Sequence, residues 1–153
     1  MYLLDTNHCS ELILGNPAVI ARAAELEGQL ATTAITAGEL VYMAENSDQV
    51  ETNLAFIEEF LLDIPVYEAN VETGRIYGRF KAQLIRHFGP KSKAKRRKTT
   101  IENVGIHEND LWIASISFQH NLTIVSADRD FVRMQEVRAF ALETWYRPIS
   151  SEE

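Results

Sequence analysis

Five short strand-like runs space out this chain: Tyr2–Leu4, Gln29–Thr33, Ile64–Tyr67, Thr123–Val125 and Phe140–Leu142. Between them the apolar residues recur at helical spacing. Leu54, Ile57 and Leu61 mark one helix, Val71, Ile76, Phe80 and Leu84 a second, and Leu111, Ile113, Ala114 and Ile116 a third. Strands that alternate with helices leave few architectures open, because parallel neighbours need a long crossover and a helix is the usual one. The alternation predicts an α/β fold: a central parallel sheet of four to five short strands with helices on both faces. At 153 residues and 46% apolar content the chain suits one domain with an ordinary core. It contains no apolar run long enough for a membrane span, and Met1-Tyr2-Leu3-Leu4-Asp5 does not resemble a signal peptide.

The punctuation of the helices adds detail. The spacing predicts helices from Cys9 to Leu14 and from Pro17 to about Glu27. Thr36-Ala37-Gly38-Glu39 matches a capping box that opens a helix running to about Glu45. A further helix is expected to begin near Ser47, a long one to run from Ala69 to His87, and others to cover His107–Gln119 and Asp128–Met134. Residues 90–106 read as a loop, long for a compact domain and so a functional candidate. The tail, residues 148–153, reads as frayed.

Four acids hold equivalent places in this alternation. Asp5, Glu39, Asp110 and Asp128 each follow a strand-like run or lie in the first turn of a helix. In a parallel sheet those places converge at the carboxyl ends of the strands. Each acid alone has a structural explanation, as a turn residue, a cap or a partner of a helix dipole. Gathered together they repel: a pair about 4 Å apart costs about 4 kcal/mol at an effective dielectric of about 20. A divalent cation removes that cost, and carboxylate oxygens suit Mg²⁺ and Mn²⁺. The residues thus point to a metal-dependent enzyme. Such a site can hydrolyse a phosphodiester without a histidine, and helix-end or surface roles are expected for His8 and His107.

Charge is unevenly spread. The formal net charge is −7, which argues against a general nucleic-acid binder. Yet six of the eight residues from 91 to 98 are basic: Lys91, Lys93, Lys95, Arg96, Arg97 and Lys98. Arg75, Arg79, Lys81 and Arg86 lie just upstream. This segment is a candidate for contact with the phosphates of a polyanion, against the alternative of a solvated loop. The single cysteine, Cys9, excludes an internal disulfide and suits a reducing cytoplasm. It reads as a small buried residue rather than a catalytic thiol.

The four acidic segments resemble the motifs of the PIN domain. Leu3-Leu4-Asp5-Thr6-Asn7 resembles its first motif and Thr36-Ala37-Gly38-Glu39-Leu40 its second. Asn109-Asp110-Leu111-Trp112-Ile113-Ala114 is similar to the third, and Ser126-Ala127-Asp128-Arg129-Asp130-Phe131 to the fourth. Order and spacing agree over residues 2 to about 145, and size and compactness are most similar to the VapC-type toxins of toxin–antitoxin pairs. The resemblance implies a PIN domain over residues 1–147 with a basic insertion at about 90–106. It implies a Mg²⁺- or Mn²⁺-dependent endoribonuclease, with transfer RNA one expected substrate. Asp5 and Asp110 would be the principal ligands, and Glu39 and Asp128 would complete the cluster. Thr6 and Ser126 would support it through their hydroxyls, beside Asn109. Asp130 is a candidate fifth acid, with orienting neighbours such as Arg129 or capping the helix as the preferred role. A small antitoxin and a homodimer are the implied partners, with exposed apolar positions on the first helices and around Phe56 to Leu62 as candidate contacts. The alternative is a PIN-like module that binds RNA or protein without cutting. A phosphotransfer receiver or a dehalogenase-like phosphatase would need paired acids after the first strand, where the chain has Asp5-Thr6-Asn7.

Overall fold

The computed structural model describes residues 1–149; four of the tail residues, 150–153, lie outside them. Five strands form one parallel sheet in the order β3-β2-β1-β4-β5. They are β1 (Tyr2–Leu4), β2 (Leu30–Thr33), β3 (Val66–Tyr67), β4 (Thr123–Val125) and β5 (Leu142–Glu143). The chain winds outward from β1 to β3, then returns to β4 on the other side of β1. The order therefore reverses between β1 and β4, which in an open parallel sheet is where a ligand crevice forms. The helices are α1 (Thr6–Leu14), α2 (Pro17–Glu25), α3 (Ala34–Glu45), α4 (Val50–Asp63), α5 (Val71–Phe88), α6 (Lys93–Arg96), α7 (Glu108–His120) and α8 (Arg129–Gln135).

The two-residue side-chain alternation of a strand divides the core. Leu3 and Ile124 join Phe80 and Leu84 of α5, Leu111 and Ala114 of α7 and Phe131 of α8 on one face. Leu4 and Val125 join Cys9 of α1, Leu40 and Ala44 of α3 and Ile57 of α4 on the other. Each such side chain, taken fully from water, contributes about 1.5–3 kcal/mol.

α5 and α7 pack antiparallel. Asn70, before α5, accepts from Gln119 near the end of α7 at 3.0 Å. Tyr77 stacks on Trp112 with centroids 3.8 Å apart, and Lys81 pairs with Glu108 in the first turn of α7 at 3.4 Å. The part of α5 beyond Lys81 thus projects about 10 Å past the start of α7, at 1.5 Å per residue.

Several local expectations shift. Asp5 caps α1, accepting from the His8 amide, so the helix starts at Thr6 rather than Cys9. Thr33, not Thr36, caps α3, accepting from the Thr36 amide; Glu39 then falls a turn deeper and leaves the expected capping box. The capping box that does form joins Asn70 and Thr73 at the start of α5. α4 starts at Val50, after the Ser47 expected to open it, and β5 lies at Leu142–Glu143 rather than Phe140–Leu142.

Residues 90–106 are not a simple loop. They contain α6 and a 3-10 turn at Glu102–Val104, and Ile101, Val104 and Ile106 are buried in the core. The basic stretch is an arm whose returning end is anchored by these three apolar residues. Gly105 makes the return possible: its φ is +81°, and a Cβ there would lie 2.8 Å from Nη1 of Arg133. That guanidinium donates to the Val104 carbonyl at 2.6 Å and lies over the Phe88 ring.

Candidate active site

The four sequence-derived acids line one cleft of about 790 Å³ at the carboxyl end of the sheet. Asp5 ends β1, Glu39 lies in α3, Asp110 in the first turn of α7, and Asp128 caps α8. The starts of α1, α7 and α8 thus face the cleft, where their unpaired amides favour negative charge.

Asp5 is buried and its carboxylate is held from two sides. Oδ1 accepts from the His8 amide at 2.8 Å and lies 3.0 Å from His8 Nδ1. Oδ2 accepts from Ser126 Oγ at 2.5 Å. Ser126 Oγ in turn accepts from the Asp128 amide at 3.0 Å, so it links the first and fourth acidic segments rather than capping α8. Across the cleft, Thr6 Oγ1 donates to Glu39 Oε1 at 2.7 Å. That bond explains why Glu39 is not turned back to a helix cap. Asn109 lines the cleft and is exposed.

Asp110, Asp128 and Asp130 come together with His107; one potential ligand atom from each lies within 4.8 Å of the others. Asp5 and Glu39 lie outside this tight group. Burial pushes the Asp110 carboxyl up to about 9, reinforced by a hydrogen bond with Asp130 and by the charges of Asp128, Asp130 and Asp5. Burial also opposes charge on Asp130. The His107 amide, the hydrogen bond with Asp110 and the His107 ring nevertheless hold its carboxyl below the usual range. Both shifts favour the proton on Asp110 and the charge on Asp130.

Asp130 does not orient Arg129, which is exposed. Its Oδ2 accepts from the His107 amide and lies 2.9 Å from His107 Nδ1, tying α8 to the start of α7. His107 precedes α7 with an exposed ring, as expected of a helix-end residue, and its hydrogen bond to Asp130 raises its pKa. His8 departs from expectation: its side chain is fully buried beneath Asp5. The sequence carries only one hint of this, its place three residues after a capping aspartate.

Clustered carboxylates, whose mutual charges help to raise the Asp110 pKa, are what a hard divalent cation would relieve. The donors present therefore fit such an ion. Cys9 plays no part, since burial pushes its thiol up to about 12.

The basic residues do not line the cleft. Lys91, Lys93, Lys95, Arg97 and Lys98 are exposed on the arm, and among the described residues no carboxylate pairs with them. Arg96 folds back onto the carbonyls of Pro90 and Lys91. The arm follows the end of α5 that projects past the first turn of α7, the turn that carries Asp110.

Comparison with known proteins agrees with this geometry. Residues 2–137 match the PIN domain family. Ribonuclease VapC2 of Haemophilus influenzae is 31% identical over 146 residues, covering 94% of this chain and 97% of its own. The tRNA(fMet)-specific endonuclease VapC of Shigella flexneri is 34% identical over 90 residues, covering 58% of this chain and 68% of its own. Among solved structures, VapBC2 from Rickettsia felis bound to a promoter DNA fragment has a chain with the same fold. Its TM-score is 0.76 at 22% identity, covering 95% of this chain and 98% of that one. A family match over most of the chain, a curated relative of nearly equal length and the acids at one sheet edge agree: the chain belongs to the PIN-domain family, in its VapC ribonuclease branch.

Proposed function

We propose that this VapC-type endoribonuclease is the toxin of a toxin–antitoxin pair and hydrolyses RNA with Mg²⁺ or Mn²⁺ held by Asp5, Glu39, Asp110 and Asp128. The convergence of these four carboxylates on one cleft supports the reading most directly. A divalent ion there would lower the pKa of bound water and offset charge on the phosphate. The chain's own residues do the rest. Asp5 is fixed by His8 and Ser126 and Glu39 by Thr6, so both carboxylates are oriented before anything binds. A cation bound here would compete with the proton that burial favours on Asp110, whose carboxylate would then help to hold it, beside Asp130. Asn109 and the His107 ring stand at the rim, within reach of substrate.

Lys91, Lys93, Lys95, Arg96, Arg97 and Lys98 contact the RNA backbone away from the cut. Such contacts are salt-sensitive and sequence-independent. They suit a folded RNA read by shape, and transfer RNA is the substrate class favoured by the names of the relatives. An antitoxin helix would cover the apolar groove of about 430 Å³ between α1, α3 and α4, where Leu14, Met43 and Phe56 are exposed. A homodimer and a cytoplasmic location complete the reading. Among the described residues no helix is long and apolar enough to cross a membrane.

The test is cleavage of total RNA by purified protein with Mg²⁺ or Mn²⁺, with EDTA, and with Asp5→Ala. Discrete fragments that require both the metal and Asp5 are expected. RNA binding without any cleavage would favour a non-catalytic module, and EDTA-resistant cleavage would remove the metal from the account.

A further inference from the structure

His8 is a fully buried imidazole directly behind Asp5. Its surroundings specify which ring nitrogen carries the proton. Nε2 faces the backbone N–H of Trp145 at 3.2 Å. An amide can only donate, so Nε2 presents its lone pair and the proton sits on Nδ1. Nδ1–H then donates to Asp5 Oδ1 at 3.0 Å. Trp145 belongs to the segment that leaves β5. In the same segment Thr144 Oγ1 donates to the Ser126 carbonyl at 2.6 Å. Glu143 accepts from the Trp145 indole at 2.7 Å and pairs with Arg22 of α2 at 3.3 Å. The Tyr146 ring closes over His8 with centroids 4.7 Å apart. Asp5 is held by His8 and Ser126, and residues 144 and 145 hold both of these from behind.

We propose that residues 143–146 form a strap that locks His8 as an Nδ1–H donor, making His8 the positioning residue of the Asp5 carboxylate. The proposal rests on the metal-binding role given to Asp5 above. A carboxylate offers about four acceptor sites. Two on Oδ1 are filled by His8, and one on Oδ2 by Ser126. One site remains, on Oδ2, so Asp5 offers a cation a single oxygen in a fixed direction. A freely rotating carboxylate would offer either oxygen or both. Partners that orient a metal ligand in this way commonly change affinity 10- to 100-fold when removed.

Two substitutions separate positioning from packing. His8→Asn keeps a donor where Nδ1 stands but cannot reach Trp145; His8→Leu fills the space and donates nothing. Mn²⁺ binding to the full chain, followed by electron paramagnetic resonance, should weaken about tenfold or more in His8→Leu, on the scale of such orienting partners, and measurably less in His8→Asn, which keeps the donor but loses the strap's hold on it. Equal losses in the two variants, or none in folded His8→Leu, would overturn the proposal. Long-range ¹H–¹⁵N spectra of the metal-free wild type give an independent reading. The proton is expected on Nδ1 of His8; finding it on Nε2 overturns the proposal, and these spectra decide the matter if His8→Leu fails to fold. Wild-type protein that binds no Mn²⁺ while showing the Nδ1–H tautomer would sink the metal reading and leave the strap intact.

Discussion

Replacing Asp110 by asparagine should stabilise the metal-free protein while destroying the metal site. In the folded chain the Asp110 carboxyl titrates near 9, against an ordinary value of 3.8. The direction follows from proton counting. Above about pH 4 the unfolded carboxyl has lost its proton while the folded one keeps it. The folded state thus binds more protons, and stability falls as pH rises until the folded group titrates. From 3.8 to pH 7 the interval is 3.2 units, which at about 1.4 kcal/mol per unit gives an upper bound of roughly 4 kcal/mol. Asp130 is shifted the opposite way through the same hydrogen bond, so the net loss of the pair is smaller than this bound. The amide of Asp110→Asn has no charge to lose and can donate to Asp130 in the proton's place. In EDTA at pH 7 the variant should melt above wild type, by less than roughly 16 °C, the bound that about 2–4 °C per kcal/mol sets for a chain of this size. The gain should shrink toward pH 5. With Mn²⁺ the order should reverse, since only wild type gains binding energy. Thermal unfolding at three pH values, with EDTA and with Mn²⁺, checks all of this. A lower melting temperature for the apo variant at pH 7, or a gain that does not change with pH, would refute the reasoning.

Three further outcomes are expected. Changing Lys91, Lys93, Lys95, Arg97 and Lys98 together to alanine should weaken RNA binding by the inactive Asp5→Asn protein and flatten its salt dependence, by about 0.7 in the logarithmic slope for each phosphate that is no longer neutralised; an unchanged slope would assign the arm another task. Ile101→Ala, at a fully buried position, should cost about 2–5 kcal/mol in urea unfolding, whereas Lys95→Ala on the same arm should change stability by less than about 0.5 kcal/mol. Cys9→Ala should cleave RNA at the wild-type rate, and iodoacetamide should leave native Cys9 unlabelled, because burial keeps it a thiol.

The sheet and its acidic edge were legible because both rest on short-range pattern. Leu3, Leu4, Ile124 and Val125 are buried on two faces and read as continuous apolar runs. An acid directly after such a run can only emerge at the strand's carboxyl end. The misplaced details came from competition between local and distant partners. Thr36 and Glu39 satisfy the capping-box pattern, yet Thr33 supplies an equally good cap one turn earlier, and Thr6, 33 residues away, supplies the partner for Glu39. On the arm, the density of lysine and arginine obscured Ile101, Val104 and Ile106, whose spacing follows neither helix nor strand. Trp145 is 137 residues from His8, and no local pattern announces their hydrogen bond.

Charge segregation reconciles an acidic protein with an RNA substrate. A net charge of −7 repels a polyanion at long range, but at physiological salt charges beyond about 8 Å are largely screened. What the RNA meets is local. On the proposed reading the arm would offer it five exposed cations that have no carboxylate partner among the described residues. In the cleft it meets clustered carboxylates, an environment that repels phosphate until a cation occupies it. On that reading the two regions would divide the work: the arm would hold RNA in any state of the cleft, while the cleft would accept the scissile phosphate only with a cation bound. The proton favoured on Asp110 offsets the charge that Asp130 adds beside the other acids, and on the proposed reading a bound cation would displace that proton. Metal occupancy, pH and RNA entry would then be coupled through one carboxyl group, that of Asp110.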